Sequence, residues 1–392
     1  DQVSTRRADG GLVLGGQASP LRVIPDTFDL SQVRLAVEIA GQNVPLETNL
    51  LGGGSVSGML RFQDEDLASA RAGLGQLATT MATTMNAQQA LGLDLNGMPG
   101  TDLFNIADPT VLPAAGNSGT GSLSVTVSDS LYLQATDYEV RVVNDAPQTW
   151  EVRRLSDDRV MTMAAGDSWD GFTINTAATA PSIGDRFLIR PTSDATRSLS
   201  MALDDPKGLA AASPLQASLG AGNAGTTTIA SLRMTAPLTP PAQTVNLVFT
   251  NAAGAYEVRD TLGNVLGAGT WDGSAPIAFG DFELTLQGRP SLNDSVVVGA
   301  TQFPAGNNGN ALAFSQLGQR ETTGRLVLAN GNEVAGTTFQ TAYAQVMADI
   351  GVRVQGAKAA SEVTTSVLQD AKEALSAKTG VNLDEEAARL IQ

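Results

Sequence analysis

The sequence predicts an α+β multidomain protein: an elongated, coiled-coil-like α-helical rod formed by both chain ends, with two inserted mainly-β domains. Three observations carry this. A leucine run at heptad spacing lies in the first quarter of the chain. A stretch of short strands, punctuated by turn residues and repeating itself, fills the middle. Apolar residues at helical spacing return toward the end. The rod is expected from residues 1–103 and 318–392, with β segments over 1–50. The first β domain is expected at 104–213 and the second at 214–317.

In chain order, Gly10 to Gly16 reads as a strand bracketed by glycines. Val33 to Ile39 alternates apolar and polar residues, the period of a half-buried strand. After the glycine-rich break at Leu51 to Gly54, a long helix is expected from Gly58 to Leu91. Leu60, Leu67, Leu74 and Met81 recur every seven residues, and Leu77 adds an intermediate position. That pattern is a packing seam of about three heptads. Small and polar residues around it call for a second, closely packed helix. Asn96-Gly97 and Pro99-Gly100 end the element.

From 101 to 317 short strands dominate, among them Leu123 to Val127, Tyr138 to Val143, Phe187 to Ile189, Thr244 to Phe249 and Ser295 to Val298. The region repeats itself about 100 residues on. Trp150-Glu151-Val152-Arg153 is echoed by Tyr256-Glu257-Val258-Arg259, and Trp169-Asp170-Gly171 by Trp271-Asp272-Gly273. Pro181-Ser182-Ile183-Gly184-Asp185 is echoed by Pro290-Ser291-Leu292-Asn293-Asp294. Three matches in one order indicate duplicated modules, with Ala210 to Pro214 as the hinge between them. Beyond 318 helix returns. Phe339, Tyr343, Val346 and Ile350, then Val363, Val367, Ala371 and Leu375, keep a spacing of three or four. These are the seam's expected second face. Gly380-Val381 breaks the helix, and Asn382-Leu383-Asp384-Glu385 has the form of a new N-cap.

Composition removes whole classes of function. The chain has 392 residues, 24 basic against 40 acidic, a formal charge of −16, no His and no Cys. The acidic balance disfavours nucleic acid and anionic membrane surfaces. Without Cys or His there is no thiol nucleophile, no zinc–thiolate site and no imidazole base. No run approaches a membrane span, and the segment from Asp1 has no signal-peptide core. A start at Asp1 suggests a processed or truncated chain.

No catalytic, cofactor-binding or metal set is assigned. Asp157, Asp158, Asp167 and Asp170 offer oxygen ligands for calcium, yet their spacing fits no known loop and Asp-Gly is turn chemistry. Asp64, Glu65 and Asp66 sit where a helix begins, and Asp204 and Asp205 precede Pro206 in a turn. Gly52 to Gly54 lacks the Lys-Ser/Thr of a phosphate loop. Trp150, Trp169 and Trp271 could form the stacking platform of a surface adhesin or glycan-binding module, the alternative reading; core packing is the competing role.

Several segments together resemble a known family. They are Gly53 to Asp64 with Gly75-Gln76-Leu77-Ala78 and Asn86-Ala87-Gln88-Gln89; Gln134 to Tyr138 with Trp150 to Arg153; Gly184 to Pro191; Asn310 to Phe314; and above all Gly380-Val381-Asn382-Leu383-Asp384-Glu385-Glu386. Spanning about 52–392, they resemble the FlgK family of flagellar hook-associated proteins. The resemblance implies a non-enzymatic structural subunit joining hook to filament, exported through the flagellar type III apparatus and exposed outside the cell as an antigen. It implies as partners other copies of itself, the hook protein and the second junction protein. It also implies terminal helices, absent here, that pack the axial core and bind an export chaperone. The chain alone is then expected to be monomeric. The second β domain is an addition relative to shorter family members.

Overall fold

The structure, a computed structural model, describes residues 5–6, 12–13, 21–39, 41–46, 55–238 and 243–379. The chain opens with a two-residue pair, β1 (Thr5–Arg6) and β2 (Leu12–Val13). An antiparallel meander follows: β3 (Leu21–Pro25), β4 (Val33–Ile39) and β5 (Gln42–Pro45). The β4 bounds are those its alternation predicts.

A helix then runs from Ser55 to Ala90 in three joined parts: α1 (Ser55–Arg61), a π-helical stretch (Phe62–Leu67) and α2 (Ala68–Ala90). The junction residues Arg61, Leu67 and Ala68 all keep right-handed helical dihedrals, so the backbone does not break. The π turns do shift the angular register. Leu60 therefore does not stay in line with Leu74, although the sequence places them two heptads apart.

Two β modules follow. The first is framed by β6 (Phe104–Asn105), which pairs with β15 (Ser200–Met201). Between them lie β7 (Thr110–Pro113), β8 (Leu123–Val127), β9 (Tyr138–Asp145) and β10 (Gln148–Arg154). Next come β11 (Val160–Ala164), β12 (Ser168–Trp169), β13 (Phe172–Thr176) and β14 (Arg186–Arg190), then the short α3 (Ala195–Ser198). The second comprises β16 (Leu215–Leu219), β17 (Thr228–Met234), β18 (Val245–Phe249) and β19 (Ala255–Arg259). It continues with β20 (Val265–Thr270), β21 (Ile277–Phe279), β22 (Phe282–Gln287) and β23 (Ser295–Ala300).

The modules share one plan. The first has a five-stranded sheet ordered β11-β10-β9-β14-β7 and a three-stranded sheet β12-β13-β8. The second has β20-β19-β18-β23-β16 and β21-β22-β17, the same two orders strand for strand. In each, apolar side chains from both sheets fill one sandwich core, around Trp150, Tyr138 and Phe172 in one and Phe249, Trp271 and Leu284 in the other. Each fully buried phenylalanine, such as Phe172 or Phe249, stabilises its module by roughly 1.5–3 kcal/mol.

A polar fastener is duplicated as well. Asp185 is buried and accepts the Ser118 and Ser182 amides at 2.9 Å, while Asn117 brackets Arg186 by donating to its carbonyl and accepting its amide. In the second module buried Asp294 accepts from Ala224, Gly225 and Ser291, and Asn223 brackets Ser295 in the same two-way manner. The turn before each aspartate needs a positive φ, +91° at Gly184 and +68° at Asn293, which glycine and asparagine tolerate best.

The C-terminal part differs from expectation in two ways. Helix resumes before residue 318, as α4 (Gly309–Leu317), and 318–338 holds a small hairpin of β24 (Leu326–Val327) and β25 (Glu333–Val334). The final helix, α5 (Phe339–Thr379), is one unbroken element. It meets the first helix only at its start. Arg353 pairs with Asp66 at 2.9 Å and Val346 lies over Gly73, which sets the two helices antiparallel. From Val354 to Ala377 every residue of α5 is exposed. A coiled-coil rod along the length of both ends is thus not what the described residues form. The fold is α+β, rich in β-sheet, with one helix inside the molecule and one at its end.

Candidate functional site

The expected seam is only partly where the sequence puts it. Leu60, Leu67, Leu74, Leu77 and Met81 are half-buried, as are Phe339, Val346 and Ile350, whereas Tyr343 is 55% exposed. What α2 buries is its small and amide face: Ala72, Gly73, Gly75, Gln76, Ala78, Thr79, Thr80, Ala82, Gln88 and Gln89. The reason is close approach. No Cβ fits at Gly75, because it would collide with the backbone carbonyl of Thr192 in the first β module. One helical turn away, Thr192 Oγ1 donates to the Ala72 carbonyl at 3.2 Å, and the Gln76 amide donates to the Leu133 carbonyl. A leucine heptad registers a helix–helix contact; this helix meets α5 near Gly73 and also serves as a spine against which the Thr192 segment packs backbone-close at Gly75.

At the C-terminal end of α2 the spine becomes a buried polar hub. Gln88 Nε2 donates to Asn310 Oδ1 at 2.7 Å, and Asn310 Nδ2 donates to the carbonyls of Gln88 at 3.1 Å and Ala210 at 2.6 Å. Gln89 Nε2 donates to the Gly208 carbonyl at 2.7 Å, and its Oε1 accepts the Ala210 amide at 3.1 Å. Leu93 and Ala212 exchange backbone hydrogen bonds at 2.9 and 3.2 Å, and Ala311 donates to the Ala211 carbonyl. Ala210 to Pro214, the expected hinge, is therefore pinned along Ala210 to Ala212. Ala210, Ala212 and Ser213 are all buried, and each backbone bond made there removes a degree of freedom a hinge would need.

The hub brings together two segments that are separate motifs in the sequence, Asn86 to Gln89 and Asn310 to Phe314, through amides that neither motif singles out. The available signal was a pair of glutamines inside an alanine-rich helix that must be buried on some face, where each amide needs a partner.

A second contact set holds the N-terminal meander to the first module. Arg190 pairs with Asp29 at 3.1 Å, the Arg186 guanidinium lies 5.6 Å from the Phe28 ring, and the Ala115 amide donates to the Thr27 carbonyl. Asp137 faces Arg190 and accepts Ser193 Oγ at 2.5 Å, but burial pushes its carboxyl above the ordinary aspartate range.

The remaining candidates are structural. Asp170 accepts a two-pronged bond from Arg154, Nη2 at 2.8 Å and Nε at 2.9 Å, plus the Tyr138 hydroxyl at 2.6 Å, with the Trp169 ring 5.0 Å from the guanidinium. Asp157 pairs with Arg154, Asp158 with Arg153, and Asp167 accepts the Ala164 amide. These acids are engaged by arginines and backbone, leaving no oxygen cage. Trp150, Trp169 and Trp271 are buried in the sandwich cores, so the stacking platform that the adhesin reading requires does not exist. The segment Gly380 to Glu386 lies outside the described residues. Among the described residues no helix is long and apolar enough to cross a membrane.

Comparison with known proteins gives a consistent picture. Residues 2–104 match the model of the flagellar hook-associated protein FlgK helical domain, and residues 112–191 match that of the flagellar hook-associated protein 1 D2-like domain. Flagellar hook-associated protein 1 of Escherichia coli K12 is 33% identical over 207 residues, covering 52% of this chain and 37% of that protein. Its counterpart in Salmonella typhimurium LT2 is 34% identical over 208 residues, with the same coverage. The matched region thus spans just over a third of those curated relatives. A solved structure of the flagellar hook junction protein FlgK from Burkholderia pseudomallei superposes with a TM-score of 0.74 at 25% identity, over 96% of this chain and 75% of that one. So small a remainder cannot contain the second β module, which is therefore not peculiar to this chain.

Proposed function

The chain belongs to the FlgK family of flagellar hook-associated proteins, and from that we propose that it is the middle part of a subunit that joins hook to filament. The single observation that carries the reading is the likeness to the Burkholderia junction protein over nearly the whole chain. The role is mechanical and non-enzymatic. A buried helix braces two β modules through backbone-close docking and a satisfied amide hub, and such packing transmits load without sliding.

In the assembled subunit the exposed length of α5 zips against further helix to complete a coiled-coil rod, and the β modules project outward, outside the cell. Its neighbours are copies of itself, the hook protein and the second junction protein. An export chaperone engages the terminal segments of the whole protein. The decisive test is genetic. This chain, placed between the terminal segments of a FlgK relative, is expressed in a strain lacking the junction protein. Restored swimming and retained filaments are expected; cells that still shed unpolymerised flagellin overturn the reading.

A further inference from the structure

Because the two β modules follow one plan, each strand has a counterpart that serves as an internal control. β17 and β22 correspond to β8 and β13, and the registers match: Met234 lies opposite Phe282 where Val127 lies opposite Phe172. One residue along, the second module sets Arg233 opposite Glu283, and the first sets Thr126 opposite Thr173. The charged pair thus belongs to the second module and not to the shared plan. Its place decides what it meets, because α4 packs against β17 and leaves a cleft of about 430 Å³ there.

Among the described residues the charged side chains lining this cleft are Arg233, Glu283 and Arg320, the last just beyond α4. Arg233 is engaged, its Nη2 donating to Glu283 Oε2 at 2.5 Å. Arg320 is not: among the described residues its half-buried guanidinium makes no ion pair and no hydrogen bond. Burial, and then the nearby Arg233, hold that guanidinium below its ordinary value, and Glu283 offsets them only in part. A second polar group is unmet at the other end of the cleft, where Ser213 lies beside Gly309 at the start of α4. Ser213 is 6% exposed, and its Oγ has no partner, although its amide and carbonyl both do.

Two guanidiniums share one carboxylate here, so the cleft is locally positive in a chain of net charge −16. A guanidinium drawn partly out of water needs charge-assisted bonds to offset the lost hydration, and its fork of donors matches an oxyanion. An anion between the two arginines would also relieve their repulsion. We propose that this cleft binds a small oxyanion, a phosphate or a carboxylate, at Arg320 beside Arg233. The site is a concavity of the size small ligands occupy and not a flat face, which suits an ion or small molecule over a protein surface. The inference concerns α4 and the second module alone, and stands or falls independently of the flagellar reading.

The chain, in chloride buffer at constant ionic strength, is titrated with inorganic phosphate and separately with succinate, and the heat is measured by calorimetry. Saturable binding of at least one is expected, and the tighter of the two tells which group the cleft takes. Arg320→Gln should weaken it at least about tenfold, a difference of about 1.4 kcal/mol. Arg197→Gln, at an exposed arginine of α3, should leave it unchanged. Glu283→Gln frees Arg233 and should tighten binding, which keeps the test decisive should R320Q fold poorly, as read by its circular dichroism. Absence of binding by both anions overturns the proposal. So does binding by folded R320Q equal to that of the parent chain, an equal loss in R197Q, or an E283Q variant that binds no tighter.

Discussion

Gln88 and Asn310 face each other across 222 residues of chain, joined by a 2.7 Å side-chain hydrogen bond and by the return of the Asn310 amide to the Gln88 carbonyl. The pair is buried, and the same asparagine also holds the Ala210 carbonyl, so it links the spine helix, the α4 segment and the connection between modules. Asn310→Ala strands the buried Ala210 carbonyl and the Gln88 side-chain amide, while the Gln88 carbonyl keeps the Leu91 amide. We expect a loss of about 3 kcal/mol, each unsatisfied buried group costing about 1–3. Urea unfolding followed by tryptophan fluorescence and by helical circular dichroism measures it, and the two probes should separate as the modules come loose from the spine.

Two glycines of the first helix should respond to alanine with opposite signs. At Gly75 a Cβ meets the Thr192 backbone, which cannot yield without undocking the first module; at Gly58 nothing lies within 4 Å. Gly75→Ala is expected to destabilise by about 2 kcal/mol or more. Gly58→Ala is expected to stabilise by about 0.5–1 kcal/mol through helix propensity alone. Unfolding midpoints of the two variants, side by side with the parent chain, test this.

The face α2 buries can be weighed against the heptad it lacks. Ala82 is fully buried and Leu74 is half-buried. Ala82→Leu overpacks a closed contact and should cost about 1–3 kcal/mol. Leu74→Ala should cost about 1 kcal/mol, typical of a single substitution at a partly exposed site. Denaturant titrations that rank L74A as the worse of the two would restore the leucine seam.

Acid should weaken the second module through Asp294. Burial pushes its carboxyl up, but the amides of Ser291, Ala224 and Gly225 outweigh that and hold it below the ordinary value of 3.8. A depressed folded pKa gives stability that is present above the unfolded value and lost as pH falls through the folded one. Asp294→Asn should therefore be less stable than the parent at pH 7, with the gap closing below roughly pH 4. Thermal melts at stepped pH follow the gap; one that persists unchanged into acid would mean that the charge of Asp294 is not what the turn uses.

The sequence by itself determined what is local or repeated. The alternation of Val33 to Ile39 and Leu123 to Val127 fixed those strands to the residue, because side-chain direction along a strand depends only on the backbone's period of two. The paired echoes around Trp169 and Trp271 showed a duplication that the strand orders repeat in full. Only the tertiary structure decided how these pieces meet. Heptad counting assumes a uniform helix with a helical partner along its whole length, but the π turns at Phe62–Leu67 interrupt the α-helical register, and α5 shares its surface with the Thr192 backbone at Gly75. Which face of an alanine-rich helix is buried depends on which distant backbone reaches it. For that reason Gln88, Gln89 and Asn310 became a site only once chain closure had brought residues 88, 210 and 310 together.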